Sequence, residues 1–181
     1  MSDRDELRDA LKGAASALKA GGIPFALAGS YALWAHGGPE PSHDADIVVR
    51  EPDADRVADV LRDAGLDVER PPEDWIVKAH QGDATVDVLH RLNGVPVDDA
   101  FLDRAEPEDV LGVRMPVLPA TDVVVVKLRS FAEHYLDFAT TLAAVRAVRE
   151  QLDWPRIREE TADNDFAYAF LVLLDRLGIT G

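Results

Sequence analysis

Three aspartates occupy positions where a carboxylate is costly. Asp44 and Asp46 run directly into Ile47-Val48-Val49, and Asp87 lies inside Thr85-Val86-Asp87-Val88-Leu89. Both stretches read as buried strands. Residues i and i+2 of a strand point to one face, so Asp44 and Asp46 project together. A charge in apolar surroundings is unfavourable unless it is paired or bound to a cation. Neighbouring strands lie ~4.8 Å apart, so a carboxylate on each can share one ion. Three carboxylates on two adjacent strands suit a pair of Mg²⁺ ions ~3.5–4 Å apart, an arrangement used for phosphoryl and nucleotidyl transfer. Two other Asp-x-Asp pairs have ordinary explanations. Asp53 and Asp55 open a helix, where carboxylates favour the positive end of the dipole. Asp163-Asn164-Asp165 precedes the last helical stretch and reads as its cap.

Gly29-Ser30 stands between a strand pattern and a helix pattern. Glycine permits close backbone approach, and a helix N-terminus offers free N–H groups to an anion. The serine hydroxyl adds a donor. The plainer reading is a tight turn with a serine N-cap. Its position gives it weight, because it precedes the aspartate pair by one helix and one loop.

The elements that must position these residues are legible in the periodicity. Residues 3–20 form an amphipathic helix with Leu7, Leu11, Ala14, Ala15 and Leu18 on one face, ended by Gly21-Gly22. Pro24–Ala28 is a strand, Ser30–His36 a helix closed by Gly37-Gly38-Pro39, and Asp44–Val49 a strand. Asp53–Ala64 is a helix and Leu66–Glu69 a strand. Trp75–His80 and Ala84–Leu89 form a hairpin joined through Gln81-Gly82-Asp83. Val97–Arg104 reads as a short helix and Val113–Leu118 as a short strand. A long or broken helix covers Thr121–Gln151, followed by helices at Trp154–Thr161 and Asp165–Leu177, with Thr121 and Asp153 as N-caps. The fold class is α+β, a mixed sheet flanked by helices with a helical C-terminal part. Residues 1–119 are expected to be the core and 120–181 a helical cap.

The composition, 47% hydrophobic over 181 residues, is that of a globular chain. With no cysteine, disulfides and thiolate chemistry are excluded. No apolar run approaches the ~18 residues that span a bilayer, and the charged MSDRDELRDA start lacks the apolar stretch of a signal peptide. A cytoplasmic, membrane-free protein is expected. The net charge of −15, from 34 acidic and 19 basic residues, repels phosphate backbones but suits divalent cations.

Ala28-Gly29-Ser30, thirteen intervening residues, Asp44-Ala45-Asp46-Ile47 and the later Asp87 together resemble the nucleotidyltransferase superfamily that includes polymerase β. The likeness is to small bacterial members: antibiotic-modifying enzymes, toxin-type enzymes of toxin–antitoxin pairs, and minimal nucleotidyltransferases with helical partners. The resemblance implies a nucleotidyltransferase-like mixed sheet. It implies that Gly29 and Ser30 hold the β- and γ-phosphates of an NTP. Asp44 and Asp46 would bind both Mg²⁺ ions, with Mn²⁺ as an alternative. Asp87 would complete the second site and help deprotonate the acceptor hydroxyl. The family's triphosphate-facing lysine corresponds to Lys127, which emerges from Val123-Val124-Val125-Val126; alone, it reads equally as a lysine at the core's edge. The sequence departs from the pattern before the aspartate pair, where several relatives carry a basic residue and this chain has Pro41-Ser42-His43.

His43 could touch substrate but reads as an ordinary surface histidine, and His90 and His134 are read alike. Asp137 is expected on a solvated helix face. Tyr31 and Trp34 read as core packing. Arg146, Arg149, Arg156 and Arg158 form the densest basic region, suited to RNA or equally to offsetting Glu150, Glu159 and Glu160. The leading expectation is transfer of an NMP to a hydroxyl of a tRNA, a protein or a small molecule, with a cognate antitoxin or helical partner in the toxin-like case. The alternatives are a non-catalytic nucleotide-binding or antitoxin-like module and a metal-dependent phosphohydrolase.

Overall fold

The computed structural model describes residues 3–180. In chain order the elements are α1 (Asp3–Ala20), β1 (Phe25–Ala28), α2 (Gly29–Ala35), β2 (Asp44–Val49), α3 (Ala54–Asp63), β3 (Asp67–Glu69), β4 (Ile76–Gln81), β5 (Ala84–Leu89), β6 (Arg91–Leu92), β7 (Val95–Pro96), α4 (Asp99–Leu102), β8 (Glu106–Val110), β9 (Val113–Val117), α5 (Ala120–Arg129), α6 (Phe138–Val148), α7 (Trp154–Glu160) and α8 (Asp165–Arg176). Seven strands form one mixed sheet in the order β3-β4-β5-β2-β1-β9-β8. The β2–β5 and β1–β9 pairs are parallel, and the other pairs in this sheet are antiparallel. The expected α+β architecture is the one observed.

Alternation along the strands gives the sheet two different faces. On β5, Ala84, Val86 and Val88 are buried while Thr85, Asp87 and Leu89 are only partly covered. α1 packs against β5 and β4, and α3 against α1, β3 and β4. The buried face of α1 is Leu7, Ala10, Leu11, Ala14, Ala15 and Leu18, the stripe that its period predicts. α2 contacts β1, β2, α5 and α6 instead. Arg8 of α1 grips Glu40 through both carboxylate oxygens at 2.7 Å, tying the loop before β2 to the helix layer.

Several expectations need correction. The predicted 97–104 helix shrinks to the single turn of α4, capped by Asp98. β8, with its charges and proline, was not predicted; it lies at the sheet edge, mostly exposed, where no alternating apolar pattern is required. Of the long or broken helix expected over Thr121–Gln151, the broken form is observed, interrupted between α5 and α6. Asp137 starts α6 as its N-cap, accepting a bond from the Thr140 N–H, rather than lying on a helix face. Thr121 is not a cap, since that position belongs to Pro119; its buried hydroxyl accepts from the Asp153 N–H. Asp153 does cap α7, and α8 is capped by Asn164 rather than by the flanking aspartates.

Asp122, in the first turn of α5, was also missed. Its side chain is 3% exposed and is held by Arg104 at 2.8 Å and Arg156 at 2.5 Å. Arg156 also pairs with Glu160, Arg158 with Asp175 and Arg149 with Glu150, so much of the basic region is neutralised within the protein. Breaking a buried ion pair leaves an uncompensated charge. Arg156→Ala should therefore lower stability by about 2–3 kcal/mol in urea denaturation, and Asp122→Asn in the same chain should recover part of the loss. Equal stability of wild type and Arg156→Ala would show that Arg104 alone suffices.

Candidate active site

The registers of three strands assemble the site. Asp46 of β2 is directly opposite Asp87 of β5 in the parallel pair, and Ala28 of β1 is opposite Asp46. Asp44 lies two residues before Asp46 on the same face. One oxygen from each of Asp44, Asp46 and Asp87 lies within 4.8 Å of the others. Asp44 is exposed, whereas Asp46 and Asp87 are partly buried. The expected triad is therefore brought together in space. Its donor set is hard, anionic oxygen, which fits Mg²⁺ or Mn²⁺.

The electrostatics record the crowding. Burial, then the negative charges of Asp44 and Asp87, push the Asp46 carboxyl up to about 7, with Lys127 and Lys78 pulling the other way. Proximity to like charge and loss of water both disfavour the ionised form.

Gly29 is the first residue of α2, with φ +57°, a region that favours glycine. A Cβ there would lie 1.8 Å from Asp46 Oδ2. The glycine thus lets the turn close directly onto the carboxylate. Ser30 follows it in the first turn and does not cap the helix, since the N-cap position is Ala28 and no side chain serves there. Ser30 instead lines a cavity of about 660 Å³ that holds all three aspartates, Lys127 and Asp137. A smaller cavity of about 140 Å³ holds Gly29, Asp46 and Lys127 against Leu89, Leu118 and Val123. Both cavities share Asp46 and Lys127, so the expected glycine, serine, lysine and carboxylates border two adjoining cavities.

Other residues fall differently. His43 is exposed but lines the larger cavity, as do Trp75 and Tyr135. His134 is exposed, as expected. His90 is not a surface histidine: it is 8% exposed, its Nδ1 has no partner among the described residues, and burial lowers its pKa. Asp137 is held low chiefly by donation from the Thr140 backbone. Tyr31 is buried and meets Trp34 edge-on at 5.6 Å, in agreement with core packing.

Lys78 is the site residue that sequence reading missed. It stands opposite Asp87 across the β4–β5 hairpin, and its Nζ donates to both Asp87 oxygens at 2.8 and 3.0 Å. The signal was present. Counting equally outward from the Gly82-Asp83 turn sets Lys78 against Asp87.

Two substitutions probe this geometry. Gly29→Ala should displace Asp46 or α2, so that a Mg²⁺ titration by calorimetry shows at least about tenfold weaker binding; unchanged binding would mean that the turn relaxes freely. For Asp46 the sign is set by a folded pKa above its unfolded value: stability is lost as pH rises from about 4 through about 7. Asp46→Asn should then stabilise the metal-free protein above neutrality by on the order of 2 kcal/mol, about 4–8 °C in melting temperature. The gain should vanish near pH 4. A variant less stable than wild type above neutrality would contradict it.

The comparisons bear on the fold and the family. No curated protein matches the chain by sequence. Among solved structures, the solution structure of the antibiotic-resistance factor ANT(2'')-Ia is 13% identical with a TM-score of 0.66, over 93% of this chain and 96% of that one. The crystal structure of ANT(2")-Ia with adenylyl-2"-tobramycin is 12% identical with a TM-score of 0.63, over 90% and 98%. The lincomycin-bound lincosamide adenylyltransferase LnuA is 13% identical with a TM-score of 0.52, over 73% and 89%. At such identities the likeness is one of fold, and the fold is that of small nucleotidyltransferases. The family model described as "Nucleotidyl transferase of unknown function (DUF2204)" matches residues 7–163, most of the chain, and the protein belongs to that nucleotidyl transferase family.

Proposed function

We propose that the protein transfers a nucleoside monophosphate from an NTP to a hydroxyl of a small, cationic acceptor. The observation that carries the reading is the convergence of the Asp44, Asp46 and Asp87 oxygens within 4.8 Å, beside a glycine that no larger residue can replace in place. In this reading residues 1–119 are the catalytic core and 120–181 the helical cap that supplies Lys127.

Asp44 and Asp46 would hold two Mg²⁺ ions, or Mn²⁺, and Asp87 would complete the second site. When bound, the ions neutralise the triphosphate and polarise the α-phosphorus and the attacking oxygen. Gly29, closed onto Asp46, would offer its backbone N–H to the triphosphate, the Ser30 hydroxyl donates to it, and Lys127 offsets its charge. The acceptor oxygen bonds to the α-phosphorus, the bond to the bridging oxygen breaks, and pyrophosphate leaves. Asp87 takes up the hydroxyl proton. An NTP-consuming reaction of this kind belongs in the cytoplasm.

The acceptor class follows from the lining of the larger cavity. With the triad given to the metal ions and Glu40 paired with Arg8, Asp137 is the remaining carboxylate of the lining, and no arginine lines it among the described residues. Polyphosphate backbones are gripped by several lysines and arginines. Here Lys127 is committed to the NTP, which disfavours tRNA. Trp75 and Tyr135 offer exposed aromatic faces, which attract cationic groups. An antitoxin or helical partner is not part of this reading, because α5 and α6 already flank α2 beside the site.

The decisive assay supplies each α-³²P-labelled NTP, Mg²⁺ and a cell extract to wild type and to the Asp44→Ala/Asp46→Ala variant. Label should enter a small cationic compound with wild type alone and release pyrophosphate. Label on RNA or protein would overturn the acceptor class; no label with any NTP would overturn transfer. Lys127→Ala should raise the KM for NTP about 10–100-fold, and an unchanged KM would remove Lys127 from the site.

A further inference from the structure

We propose that Lys78 is a built-in occupant of the third carboxylate, which makes capture of the second divalent cation conditional on bound nucleotide. The proposal rests on the transferase reading above. Its foundation is an asymmetry in the triad. Lys78 Nζ reaches both oxygens of Asp87, at 2.8 and 3.0 Å. Among the described residues, neither Asp44 nor Asp46 has an ion-pair partner. Two carboxylates are therefore open, and one is taken.

The arrangement is also hard to undo. β4 and β5 are interior strands of the sheet, and Lys78 and Asp87 are directly opposed. The Asp87 side chain is 14% exposed and that of Lys78 is 32% exposed, so solvent screens the pair weakly. A first cation held by Asp44 and Asp46 feels this ammonium at longer range but shares no oxygen with it. A second cation that uses Asp87 must share its oxygens with a fixed positive charge. That repulsion is strong at such distances in a partly desolvated site. A triphosphate, with about four negative charges, supplies the compensation and lets Lys78 and the second ion share Asp87. The device would keep the fully loaded site from forming before substrate arrives.

The test counts bound Mn²⁺ by the loss of its free-ion paramagnetic resonance signal, with and without non-hydrolysable analogues of the four NTPs. Wild type should take one ion alone and a second only with an analogue. Lys78→Met should take two without nucleotide, the second about tenfold or more tighter than in wild type. Lys78→Arg should behave as wild type, and Lys78→Met/Asp87→Asn should lose the second ion again. A Lys78→Met isotherm identical to wild type overturns the proposal and leaves the transferase reading standing. Wild type that binds no Mn²⁺ in any condition overturns both. If Lys78→Met does not fold, the wild-type stoichiometry decides: two ions without nucleotide overturn the proposal, and one supports it.

Discussion

The parallel pairing of β2 with β5 sets Asp46 against Asp87, and the rest of the site is arranged around that register. A parallel pair cannot be closed by a tight turn. The connection here runs through α3, β3 and β4 before β5 is reached, and it delivers Lys78 to the outer side of Asp87. Like charges are forced together at the centre of the sheet. The opposite face holds the strands there, because Ala45, Ile47, Val86 and Val88 are fully buried within the apolar core. A one-residue slip would turn the carboxylates into that layer and the valines into the cavity, so the apolar pattern fixes the site's geometry.

The helical part contributes through α5. Lys127 and Asp122 lie on the same helix but do different things. Asp122 is clamped by Arg104, which follows α4, and by Arg156 of α7. The clamp fixes the helix that carries Lys127 toward the carboxylates. Beyond α5 the chain turns through an exposed stretch that brings Tyr135 to the cavity, then re-enters the core at Phe138. Phe131, Phe138 and Phe170 pack together there, Phe138 and Phe170 at 4.9 Å, so the turn is anchored at both ends.

Much of the arrangement was legible in the residues. The triad could be read because Ile47-Val48-Val49 and Val86-x-Val88 are apolar enough to mark strands, and strand parity then aligns the carboxylates. α1 was readable for the same reason at the helical period. What escaped reading depended on partners distant in sequence. The Asp122 clamp joins residues 18 and 34 positions apart, and neither arginine carries a local sign of it. His90 looked solvated because its neighbours Leu89 and Arg91 are unremarkable, yet the β6–β7 excursion and the Trp75 segment cover it. β8 escaped because an edge strand with one covered residue needs no periodic pattern.

The contact between Gly29 and Asp46 carries an evolutionary consequence. The glycine's missing side chain is filled by the carboxylate itself, so the two positions share one small volume. While the acid is kept, any side chain at position 29 must displace it or the turn. Once the acid is lost or shortened, the steric reason for glycine lessens, and only the backbone's φ still favours it. Descendants of this fold that have abandoned catalysis should therefore drift at these two sites together, and a side chain at the glycine position would mark a silent relative before any assay is run.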